Sequence, residues 1–233
     1  MVSPMYAALI VAAGNGSRAG ADSPKQYVEL GGKAILRHTL DCFLAIANIG
    51  RITVVIAEAD FDRYSAATGD LQDQRLTTPV IGGATRALSV RAGLEALAAD
   101  PPDQVLIHDA ARPFAPPAAI RGVMDVLKIH QGAFLAVPVV DALWRTDGGF
   151  AIRPQDRSAL WRAQTPQGFQ FQNILDAHRS HKGEAADDVQ IARAAGMLVQ
   201  IVEGSEENFK ITTPADIVRA QAHLAFLEST KKP

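Results

Sequence analysis

The chain has 233 residues, 48% of them hydrophobic and 21% charged, and its 23 Lys and Arg against 25 Asp and Glu leave a formal net charge of −2. A chain of this size builds one domain with a substantial core, and near-neutrality offers no general attraction for nucleic acid or an anionic membrane surface. The single cysteine, Cys42, excludes an internal disulfide framework and a paired-cysteine metal site, and no run approaches the roughly 20 apolar residues of a membrane span. The apolar run 6–13 is short, lacks a basic leader and runs into glycines, so the expected location is the cytoplasm, with no secretory signal.

In chain order, β-rich apolar runs predict strands at 5–12, 51–57, 78–81, 104–108, 133–139 and 198–202. Helices are predicted between and after them, at 35–46, 61–68, 85–98, 117–130, 170–181, 187–195 and 214–227. Val105, Leu106 and Ile107 are apolar on both faces, which marks a central strand. Ala87, Val90, Leu94 and Leu97 fall on one face at helical spacing. Thr213-Pro214-Ala215-Asp216 reads as a helix start, with a capping hydroxyl, a first-turn proline and an acid three residues after the cap.

The alternation predicts an α/β fold: a Rossmann-like, mostly parallel twisted sheet flanked by helices. One stretch, 139–160, breaks the rhythm. Asp147-Gly148-Gly149 reads there as a hairpin turn between apolar flanks, so a protruding β-arm is expected. A two-stranded arm is marginal by itself and is expected to pack on another chain; a long surface loop is the alternative. Residues 1–233 are read as one domain that includes this arm, with 229–233 a disordered tail.

The segment Ala12-Ala13-Gly14-Asn15-Gly16-Ser17-Arg18-Ala19-Gly20 follows the first strand, where a doubly wound sheet receives phosphates. A dinucleotide fingerprint is formally met but lacks the unbroken helix, because Ser23-Pro24 interrupts it, and the acid about 20 residues on. A Walker loop fails for want of Gly-Lys-Ser/Thr. A phosphate-cradling loop remains, its backbone N–H groups approaching a triphosphate while Arg18 and Lys25 bring positive charge.

Together with Pro24-Lys25-Gln26-Tyr27, this loop resembles the signature of the nucleotidyltransferases, in particular the 2-C-methyl-D-erythritol 4-phosphate cytidylyltransferase family. Matching segments continue through nearly the whole chain: Gly82-Gly83 with Arg86 and Ser89, His108-Asp109-Ala110-Ala111-Arg112-Pro113-Phe114, Asp156-Arg157 with Leu160-Trp161, Gln164-Thr165-Pro166-Gln167, and Asn208-Phe209-Lys210-Ile211-Thr212. The resemblance implies transfer of CMP from CTP to a polyol phosphate, an in-line displacement that needs charge neutralisation more than proton transfer.

By resemblance, Arg18 and Lys25 stabilise the transition state, and Arg157 and Lys210 position the acceptor phosphate. Ala12, Ala13, Gly14, Asn15, Gly16, Gly82, Gly83, Ser89 and Ala110 are expected around CTP, and Asp109 and Arg112 on the acceptor side. Gly82-Gly83 with Ser89 is also compatible with a plain strand-to-helix turn, and Asp109 with Arg112 with a loop-shaping pair. His108 is read as structural. Asp187-Asp188 is read as a helix start complementing the dipole. Mg²⁺ or another divalent cation is expected, held mainly by the CTP phosphates.

Arg157 lies in the arm and is expected to reach a neighbour's site, making a homodimer the functional unit. Two positions depart from the family pattern. Ala84 stands where an aspartate is frequent, and Ala142 where a threonine is common, a loss of about 1–3 kcal/mol of binding if nothing replaces the hydroxyl.

The competing readings are a ribitol 5-phosphate cytidylyltransferase and, from another class, a non-catalytic nucleotide-binding module. The segment Gly204-Ser205-Glu206-Glu207-Asn208-Phe209 also resembles fusions to a cyclodiphosphate synthase, a domain for which this chain is expected to be too short.

Overall fold

A computed structural model describes residues 5–14 and 24–230. The chain runs β1 (Tyr6–Val11), β2 (Glu29–Leu30), β3 (Lys33–Ala34), α1 (Ile35–Leu44), β4 (Ile49–Ile56), α2 (Phe61–Thr68), β5 (Val80–Ile81), α3 (Arg86–Leu97) and β6 (Gln104–Asp109). It continues through α4 (Pro117–Leu127), β7 (Gly132–Pro138), β8 (Leu143–Asp147), β9 (Phe150–Gln155), β10 (Trp161–Gln170), α5 (Phe171–Ser180), α6 (Asp188–Ala194), β11 (Val199–Glu203) and α7 (Pro214–Thr230). Every predicted strand and helix is present, with ends moved by a few residues. The last helix includes Ser229 and Thr230, which composition alone assigns to a disordered tail.

Among the described residues, seven strands form one sheet in the order β11-β7-β10-β6-β1-β4-β5. All are parallel to one another except β10, which runs against both β6 and β7. The mostly parallel α/β prediction therefore holds, with one correction at the centre. The run 161–170 carries no apolar alternation, and Pro166 argues against a ladder strand. The ladder to β7 breaks between Ala163 and Gln167, so Pro166 has no donor to supply there. The polar residues Gln164, Thr165 and Gln167 are nonetheless buried.

Each face of the sheet buries its own cluster. Leu36, Leu40 and Phe43 of α1, with Ile120, Val123 and Leu127 of α4, cover one face; Val90, Leu94 and Leu97 of α3, with Ile174 and Leu175 of α5, cover the other. Burying a side chain of this kind contributes about 1.5–3 kcal/mol. A third, smaller cluster seats Ile211 and Ala220 against Leu30, Ile35 and Phe114.

Helix starts follow the sequence signals. The Thr85 hydroxyl accepts from Leu88 N–H at 3.2 Å to open α3, and Asp187 accepts from Gln190 N–H at 2.9 Å to open α6. At α7, Thr213 Oγ1 accepts from Asp216 N–H at 3.3 Å, and the Asp216 carboxylate accepts from Thr213 N–H at 2.8 Å. The arm is the expected hairpin: β8 and β9 pair antiparallel around Gly148 and Gly149, whose φ of +51° and +86° suit a tight two-residue turn.

Candidate functional site

A cavity of about 570 Å³ opens at the carboxyl ends of β1 and β6 and beside the turn after β5, the edge where open α/β sheets receive ligands. Its walls come from three stretches of sequence. Ala12, Ala13 and Gly14 follow β1; Gly82 and Gly83 follow β5; Asp109 ends β6, with Ala110 after it. Lys25, Gln26, Glu58, Arg86, Ser89 and Lys210 also line it. Asn15, Gly16 and Arg18 lie outside the described residues.

The first wall is held by Gln26, whose Nε2 donates to Ala12 O at 2.6 Å and Gly14 O at 3.1 Å. That amide sets the path of the backbone leaving β1, a role the motif Pro-Lys-Gln-Tyr does not announce. The second wall needs glycine. A Cβ at Gly82 would stand 2.6 Å from Ala13 Cβ and 2.7 Å from Ser89 Oγ, so the first two walls approach too closely for any side chain there. Ser89 Oγ accepts from Gly83 N–H at 3.1 Å and lies 2.9 Å from Thr85 O, to which it donates. The serine thus shapes the glycine turn.

The third wall carries the charge. Lys210 Nζ donates to Asp109 Oδ2 at 2.8 Å, and Arg86 Nε donates to Oδ1 at 3.3 Å. Arg112 Nε is 3.9 Å from Oδ2, while its Nη1 donates to Asn208 O at 2.7 Å. Arg112 does not line the cavity; it braces the loop beneath Asp109. Burial by itself would raise the Asp109 carboxyl, but Arg86, Lys210 and Arg112 outweigh it and hold the group far below the usual carboxylate range. The three cations thus favour the ionised, accepting form of Asp109.

The backbone around Asp109 is fixed from below. Its N–H donates to Thr165 Oγ1 at 3.1 Å, and Thr165 Oγ1 lies 3.0 Å from His108 Nδ1. His108 Nε2 is 3.0 Å from Arg112 O, a carbonyl that can only accept, so the proton sits on Nε2 and Nδ1 accepts from the threonine hydroxyl. Burial pushes His108 down to about 4, keeping the ring neutral. The histidine is a structural brace, as its position at a strand end suggests. Ile211 N–H donates to Ala111 O at 2.9 Å, and Asn208 Nδ2 to Thr165 O at 2.8 Å, which ties the Lys210 segment to the same loop.

The remaining predicted residues are elsewhere. Arg157 is exposed between β9 and β10 and does not line its own chain's cavity. Asp187 caps α6, whereas Asp188 is fully buried and pairs with Arg86 and His178. Among the described residues, no group of three or more His, Cys, Asp or Glu is placed to hold a metal ion, and no helix is long and apolar enough to cross a membrane.

Comparisons with known proteins place the sequence and the fold. The sequence profile of the 2-C-methyl-D-erythritol 4-phosphate cytidylyltransferase family matches residues 6–226. A protein of that name from Cereibacter sphaeroides is 51% identical over 219 residues, covering 94% of this chain and 96% of its own. A bifunctional enzyme, IspD/IspF, from Rhodospirillum rubrum is 50% identical over 92% of this chain but only 56% of its own length. Among solved structures, the 4-diphosphocytidyl-2C-methyl-D-erythritol synthase of Anaerococcus prevotii superposes with a TM-score of 0.83 at 29% identity, covering 95% of this chain and 99% of that one. The corresponding cytidylyltransferase of Thermus thermophilus gives 0.79 at 32% identity, covering 95% and 99%.

Proposed function

We propose that this chain, which belongs to the 2-C-methyl-D-erythritol 4-phosphate cytidylyltransferase family, performs its transfer in the cavity between the β1 loop, the β5 turn and Asp109. The reaction joins CMP from CTP to the phosphate of 2-C-methyl-D-erythritol 4-phosphate, giving 4-diphosphocytidyl-2-C-methyl-D-erythritol and pyrophosphate. A phosphate oxygen of the acceptor attacks the α-phosphorus in line with the departing pyrophosphate. The single observation that carries this placement is the convergence of Lys25, Lys210 and the cation-paired Asp109 on one cavity at the sheet's carboxyl edge.

In this reading CTP lies along the β1 loop and Gly82-Gly83. Lys25, with Arg18, neutralises the charge that grows on the α-phosphate and the leaving group. Ala110 is buried and small, leaving room beside the ribose. Asp109, held in its ionised form by the cations around it, accepts from substrate hydroxyls, and Lys210 meets the acceptor's phosphate. When bound, Mg²⁺ would be held mainly by the substrate's triphosphate and would neutralise part of its charge. That assignment suits the cavity's carboxylates: Asp109 is taken up by cations, and Glu58 stands alone at the other wall.

The arm completes the site from a second copy of the chain. Trp144, Phe150 and Ile152 are 56%, 76% and 60% exposed, an apolar surface that a partner would cover. Arg157, at the base of β9, would then enter the partner's cavity beside its acceptor phosphate. The test is pyrophosphate release with CTP and each of two acceptors. Release with methylerythritol phosphate but not ribitol 5-phosphate is expected; release with ribitol 5-phosphate alone would overturn the acceptor, and no release with either would favour a nucleotide-binding module.

A further inference from the structure

Behind the cavity wall, a chain of charges leads away from Lys210. Lys210 Nζ holds Asp109 Oδ2 at 2.8 Å, and Arg86 Nε holds Oδ1 at 3.3 Å. Arg86 Nη2 stands 2.8 Å from Asp188 Oδ2, and His178 Nε2 is 3.2 Å from Asp188 Oδ1. Asp188 is 0% exposed and His178 3%, and neither lines the cavity. Asp188 itself is fixed at the start of α6, where its N–H donates to Gln167 Oε1 at 3.0 Å. Arg86, the first residue of α3, is thus the one side chain among the described residues that bridges the buried Asp188 and the cavity's Asp109.

A planar guanidinium can serve two carboxylates in fixed directions, which a lysine ammonium on a flexible stem does less well. The second carboxylate also matters electrostatically. Three cations surround Asp109, and without Asp188 all of Arg86's charge would bear on it. Asp188 draws Arg86 back and leaves Asp109 able to accept from a ligand hydroxyl. Burial lowers the Arg86 guanidinium's affinity for its proton, yet Asp188 and Asp109 outweigh this and raise it, so the bridge stays charged.

We propose that Arg86 is a positioning residue anchored on Asp188: it orients the Asp109 carboxylate and, through it, the Lys210 ammonium, and so sets the affinity for the acceptor without gripping CTP. The inference rests on the reading that Asp109 and Lys210 meet the acceptor. When an acceptor phosphate draws on Lys210, the Arg86 contact keeps Asp109 facing the cavity instead of following the lysine.

Removing Arg86 alone would strand a buried carboxylate and could unfold the chain. The test therefore uses Arg86→Met combined with Asp188→Asn, which deletes both charges together. The double variant should melt within about 5 °C of the unaltered chain. Its KM for methylerythritol phosphate should rise about ten-fold or more, while the Kd for CTP with Mg²⁺ stays within about two-fold. A parental KM would make Arg86 a fold element only and overturn the proposal. An equal rise in the CTP Kd would overturn it by making Arg86 a direct CTP ligand. Should the double variant melt far below its parent, Arg86→Lys carries the same decision, since it keeps the buried charge and loses the fork. Lys210→Ala, measured alongside, separates the two levels: an unchanged acceptor KM there defeats the underlying reading, whatever the Arg86 variants do.

Discussion

Around and behind Asp109, side chains from β6, α3, α6, α5 and the segment before α7 are linked inside one chain: Lys210, Arg86 and Arg112 face Asp109, and Arg86 continues to the buried Asp188, which His178 also contacts. At the β8–β9 arm, large apolar side chains face solvent and, among the described residues, no further strand pairs with the hairpin. The first region is expensive to desolvate and is therefore completed internally, because a buried charge tolerates no missing partner. The second exposes large apolar side chains, which the second chain of the proposed dimer would cover. A site assembled from both would combine a rigid cation cluster with one cation delivered by a second subunit.

The sharpest way to break this contrast is at the node. Lys210→Ala should lower kcat/KM for methylerythritol phosphate by about 10²–10³-fold, measured by pyrophosphate release, while Asp109 keeps Arg86 and the fold survives. An equal loss of thermal stability would mean that Lys210 belongs to the scaffold.

The brace below the node gives the next effect. His108 is held at about 4 when folded against 6.5 unfolded, so the unfolded chain binds the extra proton between those values. Its contribution is complete at pH 7 and is lost as pH falls through that window, amounting to about 2–3 kcal/mol by pH 4.5. Urea unfolding at pH 7 and pH 4.5 should show that drop in the parent and a smaller one in His108→Gln. Parallel pH dependences would remove His108 from the account.

On the arm, Phe150→Ser should weaken self-association about 10- to 100-fold in sedimentation equilibrium, the worth of a partly buried aromatic on each of the two chains, with the far-ultraviolet spectrum unchanged. A monomeric parent would undo the contrast. The smallest signal is also the most specific. Mixing inactive Lys25→Ala and Arg157→Ala chains should restore about a quarter of parental activity, because half the dimers are mixed and each of those has one intact site. No recovery in confirmed mixed dimers would place Arg157 outside the partner's cavity.

Much of the site is legible before folding. The small residues after β1, the Gly82-Gly83 turn and Asp109 at the end of an all-apolar strand are local signals, and all of them line one cavity. Lys210 and Lys25 come from motif resemblance, since an isolated lysine carries no positional information. Gln26, Thr165 and Asp188 are missed as supports for a physical reason. Each is a polar residue whose burial is tolerable only because of a partner: 14 positions away for Gln26, 56 for Thr165, and the Arg86 guanidinium for Asp188. Arg112 shows the converse, a motif residue that turns inward to brace the loop.

The sequence by itself determined the α/β class, the alternation of six sheet strands with seven helices, the starts of the helices at 187 and 214 and the tight turn of the arm, because hydrophobic periodicity, helix-start residues and paired glycines act over a few residues. Only the tertiary structure decided that 161–170 enters the sheet as its one reversed strand, and that Arg86 spans Asp109 and Asp188. Both depend on polar groups satisfied across long stretches of chain, and a linear pattern cannot report a partner that only folding brings within hydrogen-bonding distance.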